Sequence, residues 1–305
     1  MKFAILGAGA VGGYFGARLA EVGEDVTFMA RGAHLDAIRN LGLRIESENG
    51  DAHIYPARAT DDPVKVGLVD YVLFAVKLFQ TEEAAEFAKP LVGSNTTLVA
   101  LQNGVECASA LSAVHGKDKV LNGTSYIAAV ISEPGLIRQT GTFASFAFGE
   151  QDGTMSERGQ RLKDAADAAG LHPTYSSNVE PLVWMKFLLI ATMSSITAAT
   201  RKPIGDLRDD QDIRPVILSS LEESIAVGRA MGVDLPEDAL DQQLKRIADF
   251  PAAMVASMYH DLQANKPTEL DWMSGAIRRF GKQCQIPTPT HDAFYAILKP
   301  FRDGI

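Results

Sequence analysis

Residues 2–12 read Lys2-Phe3-Ala4-Ile5-Leu6-Gly7-Ala8-Gly9-Ala10-Val11-Gly12. The apolar start predicts a buried strand, and the glycines match the spacing G-x-G-x-x-G. With 26 glycines in the chain the spacing alone is weak evidence, but here it follows a strand pattern and opens a helix pattern over Val11–Val22. A second strand pattern, Asp25–Ala30, completes a β-α-β unit. The stretch therefore predicts a dinucleotide site, with the pyrophosphate on free N–H groups at the helix start.

The residue after the second strand favours one cofactor over another. In folds that prefer NAD an acidic residue at this point binds the ribose hydroxyls, whereas this strand ends with Arg31. A guanidinium pairs with a 2′-phosphate, so we expect NADP. The alternative is that Arg31 is a solvated charge at a strand end. The expected cofactor-binding residues of this region are Gly7, Ala8, Gly9, Ala10, Val11, Gly12 and Arg31.

The first half of the chain alternates short strand patterns with helix patterns, which predicts an α/β fold with a Rossmann-type doubly wound sheet. Residues 126–148 instead suggest an antiparallel meander of three strands, Tyr126–Ile131, Leu136–Thr140 and Thr142–Phe148, with a Pro134-Gly135 turn after the first. The further strand candidates are Leu43–Ile45, Ala52–Pro56, Tyr71–Ala75, Thr97–Leu101, Val120–Leu121 and Thr174–Tyr175. The helix candidates are Thr81–Ala88, Cys107–Val114 and Ser156–Ala169.

From Val179 onward almost all patterns are helical, so we expect a second, all-helical domain. The expected division is an NADP-binding Rossmann domain at residues 1–175 and a helical substrate and dimerisation domain at residues 176–305. The helix candidates are Val179–Ala199, Pro215–Met231, Glu237–Asp249, Ser257–Gln263, Glu269–Gln283 and Pro289–Lys299.

Composition excludes several classes of protein. The 305 residues are 46% hydrophobic, the net charge is −9, and no basic patch stands out, so a nucleic-acid partner is not expected. No apolar run approaches the ~20 residues of a membrane span, and we expect a cytoplasmic enzyme with no membrane partner. The six histidines lack metal-ligand spacing, so no metal is expected, and Cys107 and Cys284 are expected to be inert thiols.

Two polar residues follow strand patterns in the first half. Lys77 comes after Val72–Val76 and Asn103 after Leu98–Leu101. Open α/β sheets bind ligands at the carboxyl ends of their strands, so both side chains are candidates to face the cofactor or substrate. The alternative is that both are ordinary loop residues.

In the helical half, Lys186 is a lone cation in an apolar helix pattern. It either extends to the surface or lies in a cleft, where burial and a carboxylate tune it as an acid. Glu269 is the candidate carboxylate, in a helix start that Thr268 could cap. A simple helix-dipole role is the alternative for Glu269.

Six motifs in order along the chain resemble the ketopantoate reductase (2-dehydropantoate 2-reductase) family. The motifs are Gly7–Gly12, Ala75-Val76-Lys77 with Gln80-Thr81, Leu101-Gln102-Asn103-Gly104, Trp184-Met185-Lys186, Ser257-Met258 with Asp261, and Pro267-Thr268-Glu269-Leu270-Asp271. The resemblance implies NADPH-dependent reduction of ketopantoate to pantoate in pantothenate and coenzyme A biosynthesis. It also implies an active site in a cleft between the two domains.

The same resemblance implies roles for single residues. Lys186 is similar to the family's proton donor, and Glu269 to an acid that contacts both cofactor and substrate. Ser257 resembles a ligand of the substrate carboxylate. Asn103 and Lys77 match residues on the cofactor side, with Asn103 also near the substrate. Ala128 matches more loosely a backbone contact to the cofactor.

Three positions depart from the family's pattern. Asparagines usually follow the lysine where this chain has Ile190, Ser194 and Ile204. These substitutions make the expected substrate site more apolar and remove hydrogen bonds that select for a hydroxyl group. A more apolar 2-oxo acid is therefore an alternative substrate. Another two-domain reductase, such as a β-hydroxyacid or opine dehydrogenase, and a non-catalytic NADP-binding sensor are further alternatives.

Overall fold

The computed structural model describes residues 1–304, and the chain divides into two compact units, Met1–Leu182 and Val183–Ile305. The first unit holds a ten-stranded sheet. Its strands are β1 (Lys2–Leu6), β2 (Asp25–Met29), β3 (Leu43–Glu46), β4 (Ala52–Ile54), β5 (Arg58–Thr60), β6 (Tyr71–Phe74), β7 (Thr97–Ala100), β8 (Val120–Glu133), β9 (Leu136–Glu150) and β10 (Thr174–Tyr175). Its helices are α1 (Ala10–Glu21), α2 (Gly32–Leu41), α3 (Thr81–Phe87), α4 (Cys107–His115) and α5 (Glu157–Ala168).

The strand order is β4-β3-β9-β8-β7-β6-β1-β2-β5, with β10 paired to β9. From β5 to β8 all neighbours are parallel. The chain runs from β1 outward to β2 and β5 and later returns to β6 on the other side of β1. The strand order therefore reverses between β1 and β6, which is where doubly wound sheets bind dinucleotides. The predicted α/β class with a Rossmann-type sheet is confirmed.

Both faces of the central sheet are buried, as the apolar strand runs require. Phe3 and Ile5 of β1 pack in one core cluster, and Ala4 and Leu6 pack in another on the opposite face. The alternation follows from the two-residue period of a strand. Strand β1 lies between β6 and β2, so its carboxyl end and the glycine loop that follows lie within the parallel part of the sheet.

The predicted meander over residues 126–148 is wrong in one respect. The Pro134-Gly135 turn is present, with Gly135 at φ +79, but β9 continues through Gly141 instead of reversing there. The pairing register shifts twice, between Ile127 and Ala129 and between Ile131 and Glu133 of β8. At the first shift, Ala128 lies opposite residues 140–143 of β9, because Ile127 pairs with Ala144 and Ala129 with Gln139. The result is one long hairpin with interrupted pairing, and such bulges often lie beside active sites.

Two elements of the first unit were not predicted. The helix α2 buries Leu35 and Ile38 but is only ten residues long and follows directly on β2. The strand β5 has three residues, and Arg58 in it is exposed. Helix α2 buries only two side chains and β5 has only three residues, so neither gives a clear periodic signal in the sequence.

Residues 183–304 form helices and no strand. The helices are α6 (Val179–Thr200), which begins at the end of the first unit, α7 (Arg214–Ala230), α8 (Ala239–Asp249), α9 (Ser257–Gln263), α10 (Ser274–Cys284) and α11 (Pro289–Leu298). The all-helical second domain is thereby confirmed. The contact-based division falls at Leu182/Val183, and the assignment of cofactor binding to residues 1–175 and of substrate binding to residues 176–305 stays a prediction.

The predicted helix over Glu269–Gln283 is wrong at its start. A short 3-10 helix, Leu270–Trp272, is separated from α10 by Met273 at φ −102 and ψ −104. Thr268 does not cap a helix, since Glu269 precedes the 3-10 helix and Met273 precedes α10, and the Thr268 hydroxyl donates instead to the backbone oxygen of Arg302. Glu269 therefore lies in an irregular segment before α10.

The expectation that no apolar run reaches the length of a membrane span is also wrong. Helix α6 has 22 residues, and an 18-residue window within it has a mean hydropathy of 1.6. By length and composition alone, this helix could cross a membrane. However, 78% of the window is buried inside the protein. Helix α6 is apolar because it is the core helix of the second unit.

Candidate active site

The glycine loop joins β1 to α1, and each glycine has a different reason to lack a side chain. Gly7 has φ +91, and a Cβ there would lie 2.7 Å from the Val76 backbone nitrogen. A Cβ on Gly12 would lie 2.4 Å from the Gly7 oxygen. Both glycines are therefore required by the fold itself.

Gly9 differs, since a Cβ there would meet nothing within 4 Å. It is the residue immediately before α1, and its φ of −76 is accessible to any residue. Open space at the positive end of a helix, lined by backbone N–H groups, suits a phosphate group. The loop therefore fits the pyrophosphate of a dinucleotide, as its sequence predicts.

Arg31 lies at the start of α2, directly after β2. Its side chain is 63% exposed, 3.6 Å from the Glu83 carboxylate, and its guanidinium lies over the Phe87 ring. An ion pair this exposed contributes little to stability. The guanidinium is accordingly available to an anion at the carboxyl end of β2.

Lys77 and Asn103 follow β6 and β7, the next strands on the other side of β1, and both are half-buried. The link between their two loops is Gln102, whose amide nitrogen donates to the Val76 oxygen at 2.7 Å. The same nitrogen lies 3.0 Å from the Thr81 hydroxyl. Gln102 belongs to a motif noted in the sequence, but no structural role was predicted for it.

Ala128 lies in β8 at the bulge where the register shifts between Ile127 and Ala129. Its side chain is half-buried. A bulge interrupts the regular pairing of a strand and redirects its backbone groups. This location agrees with a backbone contact, although the predicted contact to the cofactor stays a prediction.

In the second unit, Lys186 of α6 is buried and 9% exposed. Burial lowers the pKa of its amine to about 7, against the opposing effect of the Glu269 carboxylate, which raises it. Glu269 is also buried, at 6% exposure. The two residues are 83 positions apart in sequence, and the fold brings them into electrostatic contact. A lysine tuned in this way can give up a proton near neutral pH.

Lys186, Ile190 and Ser194 are spaced four residues apart and share one face of α6. Ile190 is half-buried and Ser194 is buried. Ser257 is exposed at the first turn of α9.

Ile204 lies elsewhere, with no exposed surface, in a core cluster with Leu207 and Ile217. The structure thus aligns the lysine with two of the three substituted positions and places the third in the core.

A buried chain of hydrogen bonds holds α6 against the helix that follows Glu269. The Ser195 hydroxyl of α6 lies 2.6 Å from the Ser274 hydroxyl of α10. The Nδ1 atom of His291 lies 3.0 Å from the same Ser274 hydroxyl, and His291 Nε2 lies 2.8 Å from the Ser224 hydroxyl. Neither the serines nor His291 gave a functional signal in the sequence. Their hydrogen bonds nevertheless hold α6, which carries Lys186, against α10, which follows Glu269.

Comparisons with known proteins show the family to which the chain belongs. Residues 3–153 match the family described as ketopantoate reductase PanE/ApbA, and residues 178–302 match its C-terminal family. A 2-dehydropantoate 2-reductase of Mesorhizobium japonicum is 32% identical over 320 residues, covering 98% of this chain and 97% of that protein. The chain belongs to the ketopantoate reductase family.

Solved structures of ketopantoate reductases share the fold. The PanE/ApbA family ketopantoate reductase from Ralstonia eutropha matches with a TM-score of 0.91 and 33% identity, covering 99% of this chain and 98% of that one. A 2-dehydropantoate 2-reductase from Porphyromonas gingivalis matches with a TM-score of 0.86 and 30% identity, covering 98% and 99%. The family resemblance predicted from the motifs is confirmed, and this ketopantoate reductase family member is an oxidoreductase that uses a nicotinamide cofactor.

Proposed function

We propose that the protein reduces ketopantoate to pantoate with NADPH, in the cytoplasm, as a step of pantothenate and coenzyme A biosynthesis. The observation that carries the proposal is the buried pair of Lys186 and Glu269 in the helical unit, together with a glycine loop open at Gly9 in the first unit. Family membership and the relatives named 2-dehydropantoate 2-reductase support the substrate.

The residues of the first unit would hold the cofactor. Gly7–Gly12 would bind the pyrophosphate through backbone N–H groups, and Arg31 the 2′-phosphate. Lys77, Asn103 and Ala128 would line the nicotinamide side. When bound, NADPH supplies the hydride for the reduction.

Lys186 supplies the proton. As the carbonyl at C2 of the oxo acid becomes an alkoxide, the ammonium group stabilises the negative charge and then transfers its proton to that oxygen. A pKa of about 7 leaves a large fraction of the amine protonated at neutral pH while easing the transfer. Glu269 keeps the amine from losing its proton too early, and Ser257 would bind the substrate carboxylate.

A second candidate substrate follows from the face of α6 that carries the lysine. Ile190 and Ser194 follow Lys186 on this face, and an isoleucine there offers no hydrogen bond to a hydroxyl group. A site lined in this way favours an oxo acid with an apolar tail over ketopantoate. Ile204, buried in the core, does not enter this proposal.

A pair of matched substrates distinguishes ketopantoate from a more apolar oxo acid as the substrate. Ketopantoate and 3,3-dimethyl-2-oxobutanoate differ by a single hydroxyl group, and a site that hydrogen-bonds this hydroxyl rejects the analogue by about 10⁴-fold or more. We expect kcat/KM for ketopantoate to exceed that for the analogue, and NADPH to be preferred to NADH. A higher kcat/KM for the analogue or for an aromatic oxo acid would move the substrate to the apolar class. Binding of NADPH with no turnover of any oxo acid would instead favour the sensor. A homodimer formed through the helical unit stays a prediction.

A further inference from the structure

His34 connects the glycine loop to the turn of the long hairpin. It lies in the first turn of α2 and is half-buried. Its Nε2 atom is 2.9 Å from the Ala8 carbonyl oxygen, and its Nδ1 atom is 3.0 Å from the Gly135 backbone nitrogen. The three groups come from α2, the glycine loop and the β8–β9 turn.

These two partners settle the protonation of the ring. A carbonyl oxygen only accepts, so Nε2 carries the hydrogen, and a backbone N–H only donates, so Nδ1 is the acceptor. The ring is therefore neutral in this arrangement. Burial lowers the pKa of His34, while the bond to Ala8 raises it, and the net effect favours the neutral form.

The hydrogen bond from His34 to the Ala8 carbonyl also determines the direction of the Gly9 N–H group. The Ala8 carbonyl and the Gly9 N–H belong to one planar, trans peptide unit and point in opposite directions. Fixing the carbonyl toward His34 therefore fixes the Gly9 N–H on the opposite side of the loop. Gly9 is the residue with open space beside it, at the amino end of α1.

The other contact gives His34 a rigid support. Gly135 lies in a tight turn at φ +79, and a Cβ there would lie 3.0 Å from the Cβ of Ala37 in α2. The Gly135 oxygen accepts from the Arg44 nitrogen at 2.9 Å. The hairpin turn is thus packed on α2 and holds the His34 ring in place.

We propose that His34 is a positioning residue that orients the Ala8–Gly9 peptide for the cofactor pyrophosphate. The proposal rests on the proposed binding of NADPH at this loop. His34 acts through the peptide and not by touching the nucleotide. Orientation of the peptide before binding removes part of the ordering cost of association, so the effect is on cofactor affinity.

Three substitutions separate the two contacts. In His34→Gln, the amide both donates and accepts, as the neutral ring does, and its length reaches Ala8. In His34→Asn, the shorter amide keeps a group near Gly135 but does not reach the Ala8 carbonyl. In His34→Leu, both bonds are lost. His115→Leu is the matched control, because His115 is also half-buried and its Nε2 lies 2.8 Å from a backbone oxygen, that of Ala85.

The primary measurement is the Kd for NADPH without substrate, by fluorescence titration. We expect roughly tenfold weaker binding in His34→Leu and His34→Asn, the equivalent of one hydrogen bond. His34→Gln and His115→Leu should stay within about threefold of the wild type. In steady-state assays the KM for NADPH should rise with Kd, while kcat at saturating NADPH is unchanged.

Wild-type binding in His34→Asn would overturn the proposal, and so would equal losses in His34→Gln and His34→Asn. If His34→Leu does not fold, the Gln and Asn pair carries the test. A wild-type protein that binds no nicotinamide dinucleotide would contradict the proposed function itself, which is a different outcome.

Discussion

The Glu269 carboxylate acts on the Lys186 amine from an irregular segment just before α10, and it opposes the effect of burial. Burial alone favours the neutral amine, and the carboxylate favours the ammonium. Together they leave the pKa of Lys186 at about 7. With this pKa, the Lys186 amine is partly protonated near neutral pH and can donate its proton to the substrate.

The pKa of Lys186 predicts opposite pH profiles for the two directions of the reaction. Reduction requires the ammonium, so its kcat should fall as pH rises above about 7. Oxidation of the 2-hydroxy acid requires the neutral amine, so its kcat should rise through the same range. The measurement is kcat in both directions from about pH 6 to about pH 9. Parallel profiles for the two directions would contradict the role of Lys186.

Removing the carboxylate should shift those profiles. In Glu269→Gln the charge that raises the pKa of Lys186 is lost, so this pKa should fall further below its ordinary value. The fall in reduction activity should then begin at lower pH, with a lower rate at neutral pH. Asp271→Asn is the control, since Asp271 lies two residues away and instead accepts from the Tyr295 hydroxyl. The same shift in Asp271→Asn would show that the effect is not specific to Glu269.

The two glycines of the loop should respond differently to alanine. Gly9→Ala adds a methyl group in open space, so the folded state should keep its stability while the group obstructs the pyrophosphate. We expect little change in Tm and at least roughly tenfold weaker NADPH binding. Gly12→Ala forces a contact at 2.4 Å with the Gly7 oxygen, so Tm should fall by several degrees. Normal NADPH binding by Gly9→Ala would contradict the placement of the pyrophosphate.

Arg31 should decide between the two nicotinamide cofactors. Arg31→Ala removes the expected partner of the 2′-phosphate, and a charge-assisted bond of this kind corresponds to roughly 10–100-fold in affinity. The Kd for NADPH should rise by that factor, and the Kd for NADH should not change. Arg39→Ala is the control, because Arg39 lies on the same helix and pairs with Asp61. Equal effects on NADPH and NADH would leave the preference for NADP without support.

Much of the fold could be predicted because the decisive patterns are local. The β-α-β unit is visible in residues 2–29 as two apolar strands, a glycine loop and a helix. Lys186 is predicted as a functional residue because it is the lone cation in an apolar helix pattern. Its partner Glu269 is predicted from the motif Pro267–Asp271. A lysine is an unusual residue type in an apolar helix, which makes Lys186 visible in a single sequence, whereas Glu269 alone resembles an ordinary acid at a helix start.

The remaining features depend on tertiary structure. The break at Met273 has no local signal, since neither Met273 nor its two neighbours in the chain is glycine or proline. Ile204 resembles a substrate-contact position by its spacing but is buried in the core. His34 has an ordinary sequence context, and its role depends on two backbone groups that are distant in the chain.

The most direct test of the account is the oxidation of NADPH by ketopantoate, measured with the wild type and with Lys186→Met. The account predicts turnover by the wild type and a loss of about 10²–10⁴-fold in kcat in the variant, with the Kd for NADPH unchanged. Turnover by Lys186→Met at the wild-type rate would contradict the assignment of Lys186 as the proton donor.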